Sequence, residues 1–310
     1  MKAREKTVES AQRHVLRERF VLEEIMANNY NGVNTRLEDP KKLLEMFLED
    51  FKKKGSVVVA FSGGVDSSVV AALAYQALGD RSVAVTVDSP MMFPDEVQTA
   101  KEVAQQIGIK HIIVPLNELE YSAILQNPPD RCYHCKKLRF SDLIEFAKKE
   151  GYKAVADGTN IEDFDEHRPG IRAARELRVW SPLAERCLSK KEIRALAKLL
   201  SLPSAEKPAM ACLASRVPYG ETLTEERFKR IAQAEIYIRN ELRVKQVRVR
   251  EHENGKIARI EVGSAERDKF FDFEKMDSLS KQLKKLGYKY VTLDLLGYRS
   301  GAMDEVLQKE

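Results

Sequence analysis

The feature that most constrains the fold of this chain is the stretch VVVAFSGGVDSSVV at residues 57–70. Its first part, Val57–Phe61, is apolar, rich in β-branched residues and without helical spacing, which predicts a buried strand of a parallel sheet. Two glycines then allow a sharp turn, and a helix with one apolar face follows, capped by Asp66, Ser67 or Ser68. Such a turn presents free N–H groups and the positive end of a helix dipole, so the stretch predicts an anion site.

The pattern of the loop indicates which anion it binds. The phosphate loop GxxxxGK[ST] does not fit, because no lysine follows these glycines. The segment SGGVDSS instead resembles the pyrophosphate loop (PP loop) of the N-type ATP pyrophosphatases, which split ATP between its α and β phosphates. A tight turn in some other α/β protein is the alternative. The resemblance implies that ATP is held by Ser62, Gly63, Gly64, Asp66, Ser67 and Ser68.

The next segments alternate between strand and helix patterns. Strands are predicted at Ser82–Asp88, His111–Pro115 and Tyr152–Asp157, with a fifth edge at Trp180–Leu183. This rhythm is typical of a doubly wound, mostly parallel sheet. The resemblance of the loop implies that the sheet is of the adenine nucleotide α-hydrolase type. Ligands of such sheets bind outside the carboxyl ends of the strands, which places Asp88 near the adenosine. A strand-end aspartate without function is the alternative.

The pattern changes after Gly220. Alternating residues on either side of an Asn-Gly turn predict a hairpin of Lys245–Arg250 and Ile257–Val262, between two helices and before a last strand. Arg248 and Arg250 share one face of their strand and suit a phosphate or carboxylate of a substrate, although a solvated basic face is the alternative. We therefore predict an N-terminal helical extension at 1–38, an ATP pyrophosphatase domain at 39–216 and a small C-terminal α+β domain at 217–310.

Composition excludes several classes of protein. Among 310 residues, 43% are hydrophobic and 32% charged, which predicts a globular chain. No stretch of about eighteen apolar residues and no secretory signal occurs, so we expect a cytoplasmic protein without a membrane partner. The net charge of +4 is too small to favour nucleic acid as a partner. Four cysteines in a reducing compartment indicate metal binding or chemistry better than disulfides.

Three of the cysteines stand in informative surroundings. Cys132 and Cys135 form a CxxC at the head of a predicted helix, where the helix N-terminus and the flanking Arg131, Lys136 and Lys137 should lower the pKa values of both thiols. Half a zinc site, a redox pair and two cluster ligands are all compatible with a lone CxxC. Cys212 lies between two prolines, which predicts a reachable thiol in a loop, with an inert buried thiol as the alternative.

A polar loop follows the fourth predicted strand. It contains several acidic residues and leads into Arg168-Pro169-Gly170. Because its guanidinium is always charged, Arg168 is the best anion ligand of this loop. A solvated acidic loop is the competing interpretation.

Taken together, these motifs resemble the LarE family of ATP-dependent sulfur transferases. The resemblance spans about residues 40–305 and is carried by SGGVDSSVVAALA, NPPDRCYHCKK, HRPGIRAARELRVWSPL, MACLASRVPYG and DLLGYRSGAM. It implies that ATP and Mg²⁺ serve to adenylate a carboxylate of pyridinium-3,5-biscarboxylic acid mononucleotide, that pyrophosphate leaves, and that sulfur then replaces AMP. The implied product is a thiocarboxylate on the path to the nickel-pincer nucleotide cofactor.

The resemblance also implies roles for the cysteines. Some members sacrifice the sulfur of one cysteine, which corresponds to Cys212 here. Others hold a [4Fe-4S] cluster on three thiolates, which match Cys132, Cys135 and Cys212, and this form is the one we predict. Asp66 and the neighbours Ser215 and Arg216 complete the expected catalytic set. Sulfide or a sulfur-donor protein is the implied partner, and a homo-oligomer is expected.

Other interpretations remain open from sequence. PP-loop tRNA thiolases also combine this loop with cysteines, but they would need an RNA-binding module, and the chain shows no strong basic patch. Ammonia-using amide synthetases need no thiols. A non-catalytic ATP-binding or zinc-binding module is a third class, which metal analysis would separate from the sulfur transferase.

Overall fold

A computed structural model describes residues 40–164, 169–207 and 210–307 of the chain. The helical extension predicted at 1–38 and the anion ligand predicted at Arg168 lie outside these described residues. No helix in the described part of the chain is long and apolar enough to span a membrane.

The first sheet has four parallel strands in the order β3-β2-β1-β4. Successive valines of the central strand are buried on opposite faces: Val57 and Val59 belong to one apolar cluster and Val58 to another. Both faces are therefore covered, as an all-parallel sheet requires. The predicted doubly wound α/β fold is confirmed. The strands are β1 Val57–Ala60, β2 Ser82–Asp88, β3 Lys110–Pro115 and β4 Ala154–Ala156.

Helices cover both faces of this sheet. One face packs against α1, α2, α3 and α8, and the other packs mainly against α5. The helices are α1 Pro40–Lys54, α2 Val65–Leu78, α3 Glu96–Ile107, α4 Ser122–Leu125, α5 Arg131–Lys149, α6 Pro169–Glu176, α7 Pro182–Glu185 and α8 Lys190–Leu199. Short 3₁₀ helices lie at Gly79–Arg81, Glu118–Glu120, Ile161–Phe164, Pro203–Glu206 and Leu213–Arg216.

A second, smaller sheet follows, as predicted. Strands β5 Val247–His252 and β6 Ile257–Val262 form the antiparallel hairpin, and β7 Tyr290–Leu293 pairs in parallel with β6. Helices α9 Glu225–Leu242 and α10 Phe273–Lys285 pack on one face of it. Two more 3₁₀ helices lie at Ser264–Phe270 and Glu305–Leu307.

A third apolar cluster joins the two parts of the chain. We call it the bridging cluster. Met91 and Phe93, which follow β2, meet Phe228 and Ile231 of α9 there, together with Leu213. Residues from both parts of the chain therefore share one apolar cluster. The domain boundary at 216/217 stays a prediction.

Two local expectations were wrong. Helix α2 has Gly64 as its N-cap and no side-chain cap, because the hydroxyls of Ser67 and Ser68 donate to the Gly64 carbonyl instead. The fifth edge predicted at Trp180–Leu183 is not a full strand: it forms a single parallel bridge, between Trp180 and Ala156. The chain then turns into α7 at Pro182, whose ring nitrogen has no N–H to continue a ladder.

Candidate active site

The glycine turn after β1 has a shape that only glycine tolerates at one position. Gly63 has φ +69°, and a Cβ there would lie 3.0 Å from Cα of Ala100 in α3. Gly64 has φ −77°. The loop is thus pressed against α3 at Gly63, and the next residues enter α2.

The serines of the loop bind its own main chain. The Ser62 N–H donates to Oγ of Ser67 at 3.2 Å, and Oγ of Ser68 donates to the Gly64 carbonyl at 2.7 Å. These bonds fix the turn without capping the first N–H groups of α2. An uncapped helix N-terminus next to a glycine turn is a binding place for phosphate groups.

Asp66, in the first turn of α2, forms an ion pair with Lys190 at the start of α8. Burial raises the pKa of Asp66, and the Lys190 ammonium opposes this. Oδ1 of Asp66 is buried without a hydrogen-bond partner among the described residues. Lys190 was not anticipated from sequence. A capping box of Ser189 and Glu192 fixes the start of its helix.

The segment that follows β4 lies against the start of α2. A Cβ on Gly158 would lie 2.8 Å from the main-chain nitrogen of Ser67. The neighbouring Asp157 accepts hydrogen bonds from the hydroxyls of Thr159 and Ser181 at 2.6 and 2.7 Å. Gly158 therefore permits the close approach of β4 to the loop, a role that its sequence context did not reveal.

Asp88 is exposed at the carboxyl end of β2. Its strand pairs with β1, and the Phe61 N–H continues the ladder to the Val85 carbonyl at 2.9 Å. Asp88 therefore lies at the same sheet edge as the glycine turn. Its contact with adenosine stays a prediction.

The three motif cysteines come from two segments that meet at the bridging cluster. Cys132 and Cys135 lie in the first turns of α5, and Cys212 directly precedes the 3₁₀ helix Leu213–Arg216. Cys135 and Cys212 pack against the bridging cluster, while Cys132 is exposed. In the described part of the chain, no group of three or more His, Cys, Asp or Glu side chains is arranged as a metal centre.

The predicted lowering of the thiol pKa is wrong for Cys135. Burial raises the pKa of its thiol to about 11; Arg139 opposes this, whereas the charges of Glu118, Cys212 and Cys132 add to it. The effect of burial exceeds that of the helix N-terminus, because the side chain points into the apolar cluster. Cys132, Cys135 and Cys212 are thus close enough for their charges to interact.

Two cations that were not predicted as site residues stand beside these thiols, and Arg131 is the buried one. Arg131 donates to Sγ of Cys132 at 3.6 Å and to the Ala214 carbonyl at 3.1 Å. Arg139 pairs with the fully buried Glu118, which also accepts from Ser89 at 2.5 Å. The positive charges of Arg131 and Arg139 would therefore stabilise thiolates at these cysteines.

Residues 211–215 are called the Cys212 segment. Ser215 and the following Arg216 bind its main chain. Oγ of Ser215 donates to the Cys212 carbonyl at 2.8 Å. Arg216 is 0% exposed and forms an ion pair with Glu235 at 2.9 Å. A direct contact of Arg216 with substrate, as its predicted catalytic role requires, does not fit this burial.

Arg248 and Arg250 lie on the face of β5 opposite the residues that pack on α9. They are 3% and 5% exposed, so the alternative of a solvated basic face is wrong. Arg250 pairs with Glu261 at 2.9 Å, and Arg248 lies over the ring of Tyr298. The pKa of Arg248 is lowered to about 10. Burial is the largest cause, and the positive charge of Arg216 is the second.

The pKa of Cys135 leads to a test of the thiol environment. In the metal-free protein, iodoacetamide should alkylate Cys135 about 100-fold more slowly than an ordinary thiol near neutral pH, since only thiolate reacts and the pKa is about 11 against an ordinary 9.0. Its rate should rise about tenfold per pH unit up to that pKa. Peptide mass spectrometry measures the rate, and the urea-unfolded chain is the control. Equal rates in the folded and unfolded chains would contradict the burial.

Comparison with known proteins agrees with this geometry. The family described as NAD synthase matches residues 37–150. The pyridinium-3,5-bisthiocarboxylic acid mononucleotide synthase of Lactiplantibacillus plantarum is 38% identical over 88% of this chain and 96% of its own length. An uncharacterized protein of Synechocystis is 43% identical over 86% of this chain and 98% of its own. A glutamine-hydrolyzing GMP synthase polypeptide of Methanocaldococcus jannaschii is 32% identical over 54% of this chain and 58% of its own.

The matches to the Lactiplantibacillus and Synechocystis proteins extend over most of both chains, whereas the match to the GMP synthase polypeptide covers 54% of this chain. The chain therefore belongs to the LarE family of PP-loop enzymes and is an ATP-dependent sulfurtransferase.

Proposed function

We propose that this enzyme adenylates a carboxylate of pyridinium-3,5-biscarboxylic acid mononucleotide, releases pyrophosphate and inserts sulfur to form a thiocarboxylate for the nickel-pincer nucleotide cofactor. The observation that carries the proposal is that an uncapped PP loop and a thiol-bearing segment occur in one chain that matches a bisthiocarboxylic acid mononucleotide synthase over most of its length. Sulfide or a sulfur-donor protein would supply the sulfur, in the cytoplasm, and the enzyme would be a homo-oligomer.

The PP loop supports the first half-reaction. A carboxylate is a poor electrophile, and adenylation gives it a good leaving group. The free N–H groups of α2 would hold the phosphates of ATP, and Lys190 stands beside them. Oδ1 of Asp66, which has no hydrogen-bond partner among the described residues, is an oxygen donor of the kind that Mg²⁺ prefers. Charge on the departing pyrophosphate would thereby be offset.

Cys132, Cys135 and Cys212 would hold the [4Fe-4S] cluster. The donor set fits in chemistry, because thiolates are the usual cluster ligands and Arg131 and Arg139 place positive charge beside an anionic group. When bound by three thiolates, such a cluster supplies an iron with an open position for sulfur. The buried guanidinium of Arg131 would then compensate the negative charge of Cys132 and Cys212.

Anion ligands for the nucleotide substrate are proposed on the second sheet. Arg248 and Arg250 carry buried charge close to the Cys212 segment, since Arg250 also donates to the Ser215 carbonyl at 2.9 Å. Arg168 is the further candidate from the loop after β4. These residues would orient the substrate phosphate and the second carboxylate toward the adenylation site.

A specific observation favours a second version of the same function. Cys135 is partly buried with a raised pKa, and the described thiols are not arranged as a metal centre. In this version Cys212 gives up its own sulfur once per chain and no cluster is needed.

Anaerobic purification with iron and acid-labile sulfide analysis tests the proposal. We expect about four irons per chain with broad visible absorption, lost in Cys132→Ala and kept in the matched control Cys187→Ala. Metal-free protein after reconstitution would support the sacrificial version. Iron binding and repeated turnover in Cys132→Ala would contradict the cluster, and bound zinc would contradict sulfur transfer itself.

A further inference from the structure

We propose that Glu235 and Arg216 are positioning residues that anchor the main chain around Cys212 to the second sheet, so that the thiol is held in place for sulfur transfer. This rests on the role of Cys212 proposed above. The main chain that they anchor is the Cys212 segment, residues 211–215.

Arg216 holds the segment through its carbonyl groups. Its Nη1 donates to the carbonyls of Ala211 and Cys212 at 2.5 and 3.0 Å and to Oγ of Ser215 at 3.0 Å. Its guanidinium also lies over the ring of Phe93 in the bridging cluster. One side chain thus fixes the residues on both sides of the thiol.

Glu235 orients that guanidinium. Its Oε1 accepts from Nε of Arg216 at 2.9 Å, and its Oε2 accepts from Nη2 at 3.1 Å. Oε1 also accepts from the main-chain N–H of Val249 in β5 at 2.9 Å. Both partners of the pair are 0% exposed, so the carboxylate is the counter-charge of Arg216 and its link to the sheet.

Two further buried arginines complete the anchoring. Arg131 of α5 donates to the Ala214 carbonyl at 3.1 Å, and Arg250 of β5 donates to the Ser215 carbonyl at 2.9 Å. The Leu213 N–H donates to the Met91 carbonyl at 2.8 Å. The Cys212 segment is therefore a loop in sequence, but hydrogen bonds tie it to α5, to β5 and to the chain that follows β2.

This arrangement suits a reaction whose second step needs a fixed sulfur position. A misplacement of about 1 Å in a reacting group can reduce a rate about 100-fold. Adenylation takes place at the PP loop, which Arg216 and Glu235 do not contact. The anchor should therefore matter for sulfur insertion and not for pyrophosphate release.

Glu235→Gln tests the anchor, and Glu251→Gln is its matched control. Glu251 is also 0% exposed and likewise pairs with a buried arginine, Arg227, at 2.7 Å. Its other hydrogen-bond partners among the described residues, Arg230 and Tyr288, also lie outside the Cys212 segment. Both variants remove one buried carboxylate from the same part of the fold, so both are expected to reduce stability to a similar degree.

The primary measurement is hydrogen–deuterium exchange of the full-length protein, which does not depend on activity. Amides of the Cys212 segment should exchange at least about tenfold faster in Glu235→Gln than in Glu251→Gln, since only the first loosens the guanidinium that holds these carbonyls. Arg216→Lys keeps the charge but cannot reach the carboxylate and both carbonyls at once, and it should show the same faster exchange if Glu235→Gln fails to fold.

The kinetic measurement separates the two half-reactions. Thiocarboxylate formation should fall about 100-fold in Glu235→Gln while pyrophosphate release stays within about twofold. Equal exchange in the Gln variants at 235 and 251, or a parallel loss of both half-reactions, would overturn the proposal. If the wild-type protein forms no thiocarboxylate, the proposed function fails, and the exchange comparison still decides whether Glu235 anchors the segment.

Discussion

Replacement of Cys212 by serine is expected to reduce thiocarboxylate formation at least about 1,000-fold and to leave pyrophosphate release from ATP unchanged. Serine carries no sulfur to give and is a poor ligand for iron, so both versions of the mechanism lose the second half-reaction. The first half-reaction takes place at the PP loop, where the N-terminus of α2 is uncapped. Pyrophosphate release and the mass of the nucleotide product are the two measurements.

Cys187→Ser is the control, because this thiol lies outside the three-cysteine group and the Cys212 segment. Cys132→Ser then separates the two versions. It should abolish turnover if a cluster is required, and it should allow one sulfur per chain if Cys212 is sacrificed. Repeated thiocarboxylate formation by Cys212→Ser would show that the sulfur passes through another group.

Replacement of Gly158 by alanine is expected to reduce adenylation about 100-fold and the free energy of unfolding by about 1–3 kcal/mol. The added Cβ would lie 2.8 Å from the Ser67 nitrogen and 3.1 Å from Cβ of Asp66, so either β4 or the start of α2 must move. The backbone of Gly158 does not lie in the left-handed region, so the effect is steric. ATP–pyrophosphate exchange and urea unfolding measure the two consequences.

Gly263→Ala is the matched control for this substitution. It also has ordinary backbone angles, and a Cβ there meets only the flexible side chain of Glu266, at 3.3 Å. Its adenylation rate should equal that of the wild type. A wild-type rate in Gly158→Ala as well would show that the loop tolerates displacement, and the close approach would then have no role in binding ATP.

The features that could be predicted from sequence are those set by local pattern. The strand, glycine turn and helix at residues 57–70 are contiguous, and the alternation of strand and helix patterns gives the parallel sheet directly. The hairpin of the second sheet is likewise indicated by its Asn-Gly turn. Near neighbours in sequence determine each of these elements.

The parts that could not be predicted depend on contacts between distant residues. Lys190 reaches Asp66 across 124 positions, and Gly158 meets the PP loop only after β4 has joined the sheet. The ion pairs of Arg216 with Glu235 and of Arg250 with Glu261 are likewise not visible in sequence, because the partners lie 19 and 11 positions apart. The pKa of Cys135 depends on burial in a cluster built from both parts of the chain.

The bridging cluster has a consequence for synthesis on the ribosome. The four strands of the first sheet are complete at Ala156, whereas the anchors of the Cys212 segment include Glu235 and Arg250. A nascent chain therefore contains every strand of its nucleotide-binding sheet before the residues that anchor the Cys212 segment have been added. Activation of the carboxylate precedes sulfur insertion in the reaction. The residues for these two steps are synthesised in the same order, because the strands of the first sheet precede the anchors of the Cys212 segment.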